Sequence, residues 1–464
     1  MWPREWEAEK WVNSSCLVLA VGGVVCYNFR MKNTMIFAMV VALTGVAGAV
    51  NPITAEGEFL SDPAPRVGPD GKLWVFGSRD ENPRYYCSSG NDAYETTDLR
   101  TWKVHRDVFT AASLPGVKVL YAPDALYHNG AWRLFFCTPS RKYMEGIASS
   151  VKPEGPFTNV QKLSACTQID PAIFRDDDGT LYYNWGQFAL NGAVLKDDLS
   201  GLVPGTLHTR IIDEAGHHFH EGIQLLKRKG LYYLVYTDLK TDGPRSAARI
   251  GYSTAEKPFG PYTYRGVIVD NTGCDPKTWN DHGGLVEFGG KWYIFYHRST
   301  NGSNTMRKAC VEPITFDEKG LIRPVEMTSN GAEPPLDPFT TVEARLACLL
   351  SGNVRIVTFP DKQERLAEIQ AGDTALWRYF NFTKPAASLE LTVKSAAGGT
   401  VTVLDGAGRE HGTGTIPPGD GKTFATVTIP LSKPMPAGIQ TVKFVFACPP
   451  GKTFGELDAW RFRP

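Results

Sequence analysis

Asp170-Pro171-Ala172-Ile173-Phe174 is a short apolar strand opened by an acidic residue, and the aromatic strand Leu181-Tyr182-Tyr183-Asn184-Trp185 follows it after an Asp-rich turn. This unit occurs five times, at intervals of roughly 45 to 60 residues, a period typical of propeller blades. The residues that open the five apolar strands are Asp62, Asp124, Asp170, Glu221 and His282. Because the inner strand of every blade lines the central channel, the repeat predicts five blades whose openings face one cleft.

The rest of the chain also follows a strand pattern. Helical periodicity is nearly absent after residue 50, and short β-branched and aromatic runs are separated by Gly, Asp, Asn and Pro. The proline-rich residues 332–340 predict a linker, and the alternating strands after it, such as Thr400-Val401-Thr402-Val403-Leu404, predict a β-sandwich. The expected organisation is therefore all-β, with a five-bladed β-propeller at 50–331, a linker at 332–340 and a β-sandwich at 341–464.

Residues 1–49 predict an N-terminal extension that ends in a signal peptide at 31–49. Lys32 provides the positive start, residues 36–43 the apolar core, and Ala47-Gly48-Ala49 the small-residue cleavage site. Neither apolar stretch in 1–49 is long enough to be a comfortable membrane span. We expect a secreted, periplasmic or cell-surface protein, with an unusual bipartite anchor as the alternative.

Charge and cysteine content exclude several classes of function. Lys plus Arg and Asp plus Glu both count 49, so nothing points to nucleic acid or an anionic surface as a partner. The nine cysteines form no CxxC pair, which argues against zinc and thioredoxin chemistry and leaves any disulfide pairing open. The histidines of Gly216-His217-His218-Phe219-His220 lack the spacing of a helical zinc site, so His220 is expected to line the pocket beside Glu221.

Four of the five openings are carboxylates, and like charges gathered in one cleft are costly unless they are used or paired. Paired carboxyl groups suit the cleavage of a glycosidic bond, in which one protonates the leaving oxygen and another activates water. The acid must keep its proton near neutral pH, so its pKa must be raised by burial or by a nearby negative charge.

The openings and their flanking residues resemble glycoside hydrolase family 43. The motifs that carry the resemblance are Ser61-Asp62-Pro63, Tyr121-Ala122-Pro123-Asp124, Ile169-Asp170-Pro171-Ala172-Ile173-Phe174, His220-Glu221-Gly222, Gly251-Tyr252-Ser253 and Asp281-His282-Gly283. The resemblance implies a five-bladed propeller that hydrolyses arabinose- and xylose-containing polysaccharides with inversion. By resemblance, Asp62 is the general base, Glu221 the general acid, and Asp170 the residue that modulates the pKa of the acid and orients it.

The resemblance also covers residues around this triad. His282 resembles a residue near the channel axis that organises a calcium ion through water, and Arg298 matches an arginine that contacts substrate. Asp124 is expected at the channel rim near the substrate, in a structural role. Two departures, Ile223 where the family often has proline and Tyr121 where it usually has tryptophan, are expected to alter the shape of the subsites.

The C-terminal part resembles a carbohydrate-binding module of family 6. The residues that carry this resemblance are Glu343-Ala344-Arg345, Trp377-Arg378-Tyr379-Phe380 and Glu456-Leu457-Asp458-Ala459-Trp460-Arg461-Phe462. It implies that Glu343 and Asp458 hold a structural calcium ion, and Trp377 and Trp460 are expected in the core. No organic cofactor is expected.

The function predicted is a secreted, monomeric glycosidase that inverts configuration, of the α-L-arabinofuranosidase or β-xylosidase type. A lectin-like propeller without activity is one alternative, and a related retaining glycosidase, whose Trp-Met-Asn-Asp-Pro motif is absent, is another. Exo-galactanase or endo-arabinanase specificity on the same fold also stays open, as do the exact sugar and endo or exo action.

Overall fold

The computed structural model describes residues 45–47, 50–241 and 243–464. The predicted N-terminal extension and signal peptide, 1–49, therefore lie outside the described residues except for one short strand at 45–47. The described part is almost entirely strand and loop, and none of its helices is long and apolar enough to cross a membrane. Its helices are α1 (Glu214–His217) and two 3-10 turns, Ala111–Ser113 and Ala344–Leu346.

Five antiparallel sheets follow one another along the first part of the chain. Blade 1 contains β1 (Gly45–Ala47), β2 (Leu60–Val67), β3 (Leu73–Arg79), β4 (Gly90–Thr96) and β5 (Thr101–Thr110). Blade 2 contains β6 (Asp124–His128), β7 (Ala131–Cys137), β8 (Glu145–Ser150) and β9 (Thr158–Lys162). Blade 3 contains β10 (Ala172–Arg175), β11 (Leu181–Trp185) and β12 (Asn191–Leu195). Blades 4 and 5 contain β13 (Phe219–Arg228), β14 (Leu231–Lys240), β15 (Ser246–Ala255), β16 (Thr263–Asp270), and then β17 (Gly284–Phe288), β18 (Lys291–Thr300) and β19 (Ser303–Ile314).

The inner strands of the five blades form a closed ring. β2 contacts β6, β6 contacts β10, β10 contacts β13, β13 contacts β17, and β17 returns to β2. Apolar side chains fill the space between neighbouring blades, and Trp102 of blade 1 packs edge-on against Phe295 of blade 5 at 6.2 Å. The side-chain amide of Asn51 accepts from the N–H of Val311 and donates to its carbonyl, and the N–H of Ile53 donates to the carbonyl of Ala309, so both residues strengthen this junction along β19. The five-bladed propeller predicted from the repeat is confirmed.

The C-terminal part is a β-sandwich of two sheets. One sheet contains β20 (Val342–Glu343), β22 (Arg355–Thr358), β23 (Glu364–Ala367), β25 (Ala386–Lys394), β28 (Ala425–Met435) and β30 (Glu456–Arg463). The other contains β21 (Leu349–Ser351), β24 (Thr374–Phe382), β26 (Gly399–Asp405), β27 (Glu410–Ile416) and β29 (Gly438–Ala447). Trp377 and Trp460 lie buried between the sheets with ring centroids 5.6 Å apart, as predicted.

The segment predicted as a linker, 332–340, is packed against the sandwich. The backbone of Leu336 bonds to Tyr379 and Asn381, and Phe339 packs edge-on against Phe382 at 5.9 Å. Residues 45–464 form one compact unit. The proline content of 332–340 indicated an interruption of regular structure, whereas the apolar side chains of this segment attach it to the sandwich core.

Candidate active site

A pocket of about 350 Å³ opens where the inner strands of the propeller begin, and this volume suits one or two sugar units. Four of the five predicted openings line it, namely Asp62, Asp170, Glu221 and His282. The repeat therefore brings together residues that lie up to 220 positions apart in the chain. Further lining residues are Tyr86, Cys87, Tyr121, Gln187, Trp279 and Arg307.

Asp62 is held as a buried anion. It stands at φ 53, within an irregularity of the β2–β3 ladder between Ser61 and Ala64 that turns its carboxylate out of the sheet. Burial raises the pKa of Asp62. The opposing effect is larger and lowers the pKa to about 2, and it comes from Arg307 at 2.8 Å and from His282 and His297 at 3.7 Å. Asp62 is thus ionised at any pH near neutrality, as a general base must be.

Asp170 and Glu221 come from neighbouring blades and share a backbone link. The N–H of Gly222 donates to Asp170 Oδ2 at 3.0 Å, and Gln187 Nε2 donates to Glu221 Oε2 at 2.7 Å. Burial, with the negative charges of Glu221 and Asp62, raises the pKa of Asp170 well above its ordinary value. The raised pKa favours the protonated form of Asp170, and Glu221, the more exposed of the two, is the carboxyl group that a ligand in the pocket can reach.

Asp124, the remaining carboxylate opening, faces a small chamber on the propeller axis instead of the pocket. Its Oδ2 accepts from Arg66 at 2.6 Å and from the backbone N–H of Ile173 at 2.8 Å. It therefore ties blade 1 to blade 3 through blade 2. This placement agrees with the structural role expected for Asp124 and gives no support to a contact with substrate.

Arg298 does not reach the pocket, so its predicted contact with substrate is not supported. In the β18–β19 ladder it stands opposite Lys308, the neighbour of Arg307. Since successive strand residues point to opposite faces, Arg298 and Arg307 lie on different faces of the sheet. Arg298 is buried and donates to the Tyr296 hydroxyl and the Thr328 carbonyl, both at 2.7 Å. Arg307 occupies the pocket instead.

His220 lines the pocket, as the sequence predicted, and it is held from behind. Its Nδ1 lies 2.7 Å from Glu214 Oε1, and Glu214 in turn pairs with Arg245 at 3.0 Å. The His220 ring also meets Phe188 edge-on at 5.3 Å. His220 is thus a fixed part of the pocket wall.

The calcium site implied for Glu343 and Asp458 does not fit the contacts of these two side chains. Glu343 is 2.6 Å from Arg345, and Asp458 is 3.2 Å from Arg365, so each carboxylate neutralises an arginine.

His282 faces the axis, but the described part of the chain holds no group of three or more His, Cys, Asp or Glu that could hold a metal ion. Calcium usually takes six to eight oxygen ligands. Asp124 and Gln224 line the same chamber as His282, but Asp124 already accepts from Arg66 and Gln224 bonds to the backbone of Leu285, so water would have to supply most ligands there.

Some pocket residues escaped the sequence analysis because they occupy no repeated position. Arg307 lies inside β19 and Gln187 in the loop after β11, and neither belongs to an opening. Trp279 and Tyr121 carry a usable signal, since each stands three residues before an opening. Cys87, beside Asp62, is a free thiol, as are the other six cysteines of the described residues.

A hairpin of blade 5 joins this pocket to the sandwich. At its tip, Asn301 N donates to the carbonyl of Ile356 at 2.8 Å, and Asn301 Oδ1 accepts from Thr358 N at 2.7 Å. Three residues further, Asn304 Nδ2 donates to the hydroxyl of Tyr86 at 2.9 Å. The same hairpin therefore touches both the sandwich and the pocket wall.

A five-bladed propeller whose pocket holds the ionised Asp62 together with the carboxyl groups of Asp170 and Glu221 has the arrangement expected of a propeller glycosidase. The model of glycosyl hydrolases family 43 matches residues 62–322, more than half of the chain, and the chain belongs to this family. It is a glycosidase.

Relatives and solved structures agree with this assignment. A xylosidase/arabinosidase of Thermoclostridium stercorarium is 29% identical over 349 residues, covering 65% of this chain and 72% of the relative. Xylosidase/arabinosidase 43A of Humicola insolens is 27% identical, covering 57% and 96%. The fold matches a family 43 arabinoxylan arabinofuranohydrolase of Bacillus subtilis, solved with cellotetraose, with a TM-score of 0.52, 23% identity, and coverage of 90% and 99%. It also matches CoXyl43, a β-xylosidase/α-arabinofuranosidase from a compost metagenome, solved with xylotriose in a calcium-free form, with a TM-score of 0.53, 24% identity, and coverage of 61% and 99%.

Proposed function

We propose that this chain is an inverting glycosidase that removes arabinofuranosyl or xylosyl units from plant polysaccharides. The observation that carries the proposal is the placement in one pocket of an ionised Asp62, of Asp170 with its raised pKa, and of Glu221. Asp62 and Glu221 belong to blades 1 and 4, which are not neighbours in the ring. Inversion needs room for a water molecule between base and acid, about 6.5–9.5 Å.

In the proposed reaction, Asp62 takes a proton from a water molecule while the oxygen of that water attacks the anomeric carbon. The bond from this carbon to the leaving oxygen breaks, and Glu221 gives that oxygen its proton. Asp170 holds the backbone beside Glu221 through the Gly222 N–H. Arg307 keeps Asp62 ionised, and solvent then returns one proton from Asp62 to Glu221.

The choice of sugar rests on the relatives named xylosidase/arabinosidase. A pocket of about 350 Å³ with Trp279 and Tyr121 in its wall suits one terminal pentose with part of its neighbour. A fold match to an exo-β-1,3-galactanase of Phanerochaete chrysosporium, at 16% identity and a TM-score of 0.51, makes galactosides the second substrate class to test.

A panel of aryl glycosides tests the proposal: arabinofuranoside, xyloside and galactoside. We expect hydrolysis of one or both pentosides, with NMR showing the first product in the inverted anomeric form. Glu221→Gln should lower turnover by about 10²–10⁴-fold on substrates with poor leaving groups. Glu343→Gln, on the sandwich and half-exposed, is the matched control. Near-normal turnover of Glu221→Gln, or a retained anomer, would contradict the assignment.

Secretion, a monomeric state and the type of the sandwich belong to the same proposal. A mature N-terminus near Val50, read by sequencing the exported protein, is the expected result. The sandwich is proposed to be a carbohydrate-binding module of family 6 type that now serves as a support, because Trp377 and Trp460 are buried in its core. We also propose a calcium ion near His282, with water supplying most of its ligands. The support is that one structural neighbour was solved in a form described as calcium-free.

A further inference from the structure

Phe188 is an exposed aromatic ring beside the pair of carboxyl groups. It lies in the loop between β11 and β12, and 51% of its surface is exposed. Its neighbour Gln187 lines the pocket and bonds to Glu221 at 2.7 Å. Its ring meets the pocket residue His220 edge-on at 5.3 Å. The reaction mechanism above leaves this ring without a role.

The backbone holds Phe188 in an unfavourable conformation. Its φ of 66 lies in the left-handed region, which bulky residues rarely adopt. Its N–H donates to the carbonyl of His220 at 2.6 Å, and its carbonyl accepts from Glu214 N at 3.3 Å. The loop is thus fastened to the strand that carries Glu221. Strained, well-fastened residues are concentrated at functional sites, so this ring invites a functional explanation.

The position of Phe188 relative to Glu221 indicates which part of a substrate its ring would meet. A general acid lies on the leaving-group side of the scissile bond, because it protonates the leaving oxygen. Phe188 does not line the pocket itself, and its half-exposed ring lies just outside it against the pocket residue His220. A sugar unit that extends out of the pocket past Glu221, which is the unit that leaves, would meet this ring. The apolar face of a sugar ring packs well on an aromatic face, whose quadrupole also attracts C–H groups.

We propose that Phe188 is the stacking platform for the first sugar unit on the leaving-group side, which makes the enzyme selective for glycosides whose aglycone is itself a sugar. This inference rests on the proposed function and adds a specificity-determining residue to it. His220 supports the ring from the side, and Glu214 with Arg245 fixes His220.

The test compares two substrates that both need Glu221 but differ in the leaving group. These are xylobiose and methyl β-D-xylopyranoside or, if the wild type prefers arabinofuranosides, arabinofuranosyl-xylobiose and methyl α-L-arabinofuranoside. Phe188→Ala should lower kcat/KM for the oligosaccharide by about tenfold, the size of one lost apolar contact, mainly through KM. The methyl glycoside should change less than about twofold. Phe188→Trp should restore oligosaccharide hydrolysis.

Ile439→Ala, which truncates a similarly exposed apolar side chain on the sandwich, is the control and should change neither substrate. If Phe188→Ala lowers hydrolysis of both substrates equally, the residue only positions Gln187 and Glu221, and the proposal is overturned. An unchanged oligosaccharide rate overturns it too. A wild-type enzyme that hydrolyses no glycoside would instead defeat the proposed function.

Discussion

The ion pair of Arg307 and Asp62 controls the acidic side of the pH profile. Because Arg307 lowers the pKa of Asp62 to about 2, the base stays ionised until the pH falls to that value. In Arg307→Met, burial is no longer opposed by this cation, so the pKa of Asp62 rises. We expect the acidic limb of the kcat/KM profile to move to higher pH, measured on the best aryl glycoside.

Arg298→Met is the matched control, since Arg298 is an equally buried arginine of blade 5 that lies outside the pocket. It should lower stability and leave the acidic limb in place. Arg307→Lys, which keeps the positive charge, should return the limb towards its wild-type position. A limb that stays in place in Arg307→Met would disprove the role given to this arginine.

The convergence of three carboxyl groups on one pocket could be predicted at the level of single residues, because they occupy a repeated position. Asp62, Asp170 and Glu221 each lie two residues from the start of an inner strand, and a repeat in sequence becomes convergence in space when the blades form a ring. Arg307 could not be found in this way, since it projects from the middle of β19. Arg298 was assigned to the substrate from a motif, and the structure places it outside the pocket, because a motif gives no information on which face of a strand a side chain occupies.

At the scale of the element, the irregularity near the start of β13, between Glu221 and Ile223, depends on Gly222. Its φ of 55 is left-handed, and a Cβ there would lie 2.9 Å from the ring of His282. Gly222→Ala should therefore displace Glu221 or His282 and lower kcat at least tenfold (~1.4 kcal/mol). The measurement is kcat together with the denaturant midpoint.

Gly230→Ala is the control that separates the clash of a new Cβ from the cost of a left-handed backbone conformation. Gly230 has φ 80 in the turn that ends β13, and a Cβ there meets nothing within 4 Å. This variant should lose about 1–2 kcal/mol of unfolding free energy and keep its activity. Equal loss of activity in both variants would show that stability alone is responsible.

Strands were easier to predict than the segment between the two parts. Alternation and aromatic content report how a strand buries one face, and these local signals identified the blades and the sandwich. Proline content at 332–340 reports only that regular structure is interrupted. Leu336 is docked by the backbone of β24 and Phe339 by the Phe382 ring of the same strand, about 40 residues later, and no local pattern contains that information.

At the scale of the whole molecule, a buried ion pair fastens the propeller to the sandwich. Lys308 Nζ lies 2.5 Å from Glu364 Oε1, and both side chains are at most 1% exposed. Glu364→Gln should leave a buried ammonium without its counter-charge and lower the free energy of unfolding by about 3–5 kcal/mol. Denaturant unfolding followed by fluorescence measures this change.

Glu390→Gln is the comparison, because Glu390 pairs with the partly exposed Arg461 and Arg463 in the same sandwich sheet. Exposed pairs contribute about 0–1 kcal/mol, so this variant should unfold almost like the wild type. If both substitutions prove equally mild, the Lys308–Glu364 pair does not hold the two parts together.

The hairpin around Asn301 restricts how the two parts of the chain can be recombined during evolution. Its tip bonds to Ile356 and Thr358 of the sandwich, and Asn304 bonds to Tyr86 in the pocket wall. A recombination breakpoint at 332–340 would look harmless in the sequence, yet it would pair this hairpin with a foreign surface. Replacing the sandwich with that of another enzyme should therefore disturb the pocket wall. Substitutions at 301–304 and at 356–358 should be correlated during evolution.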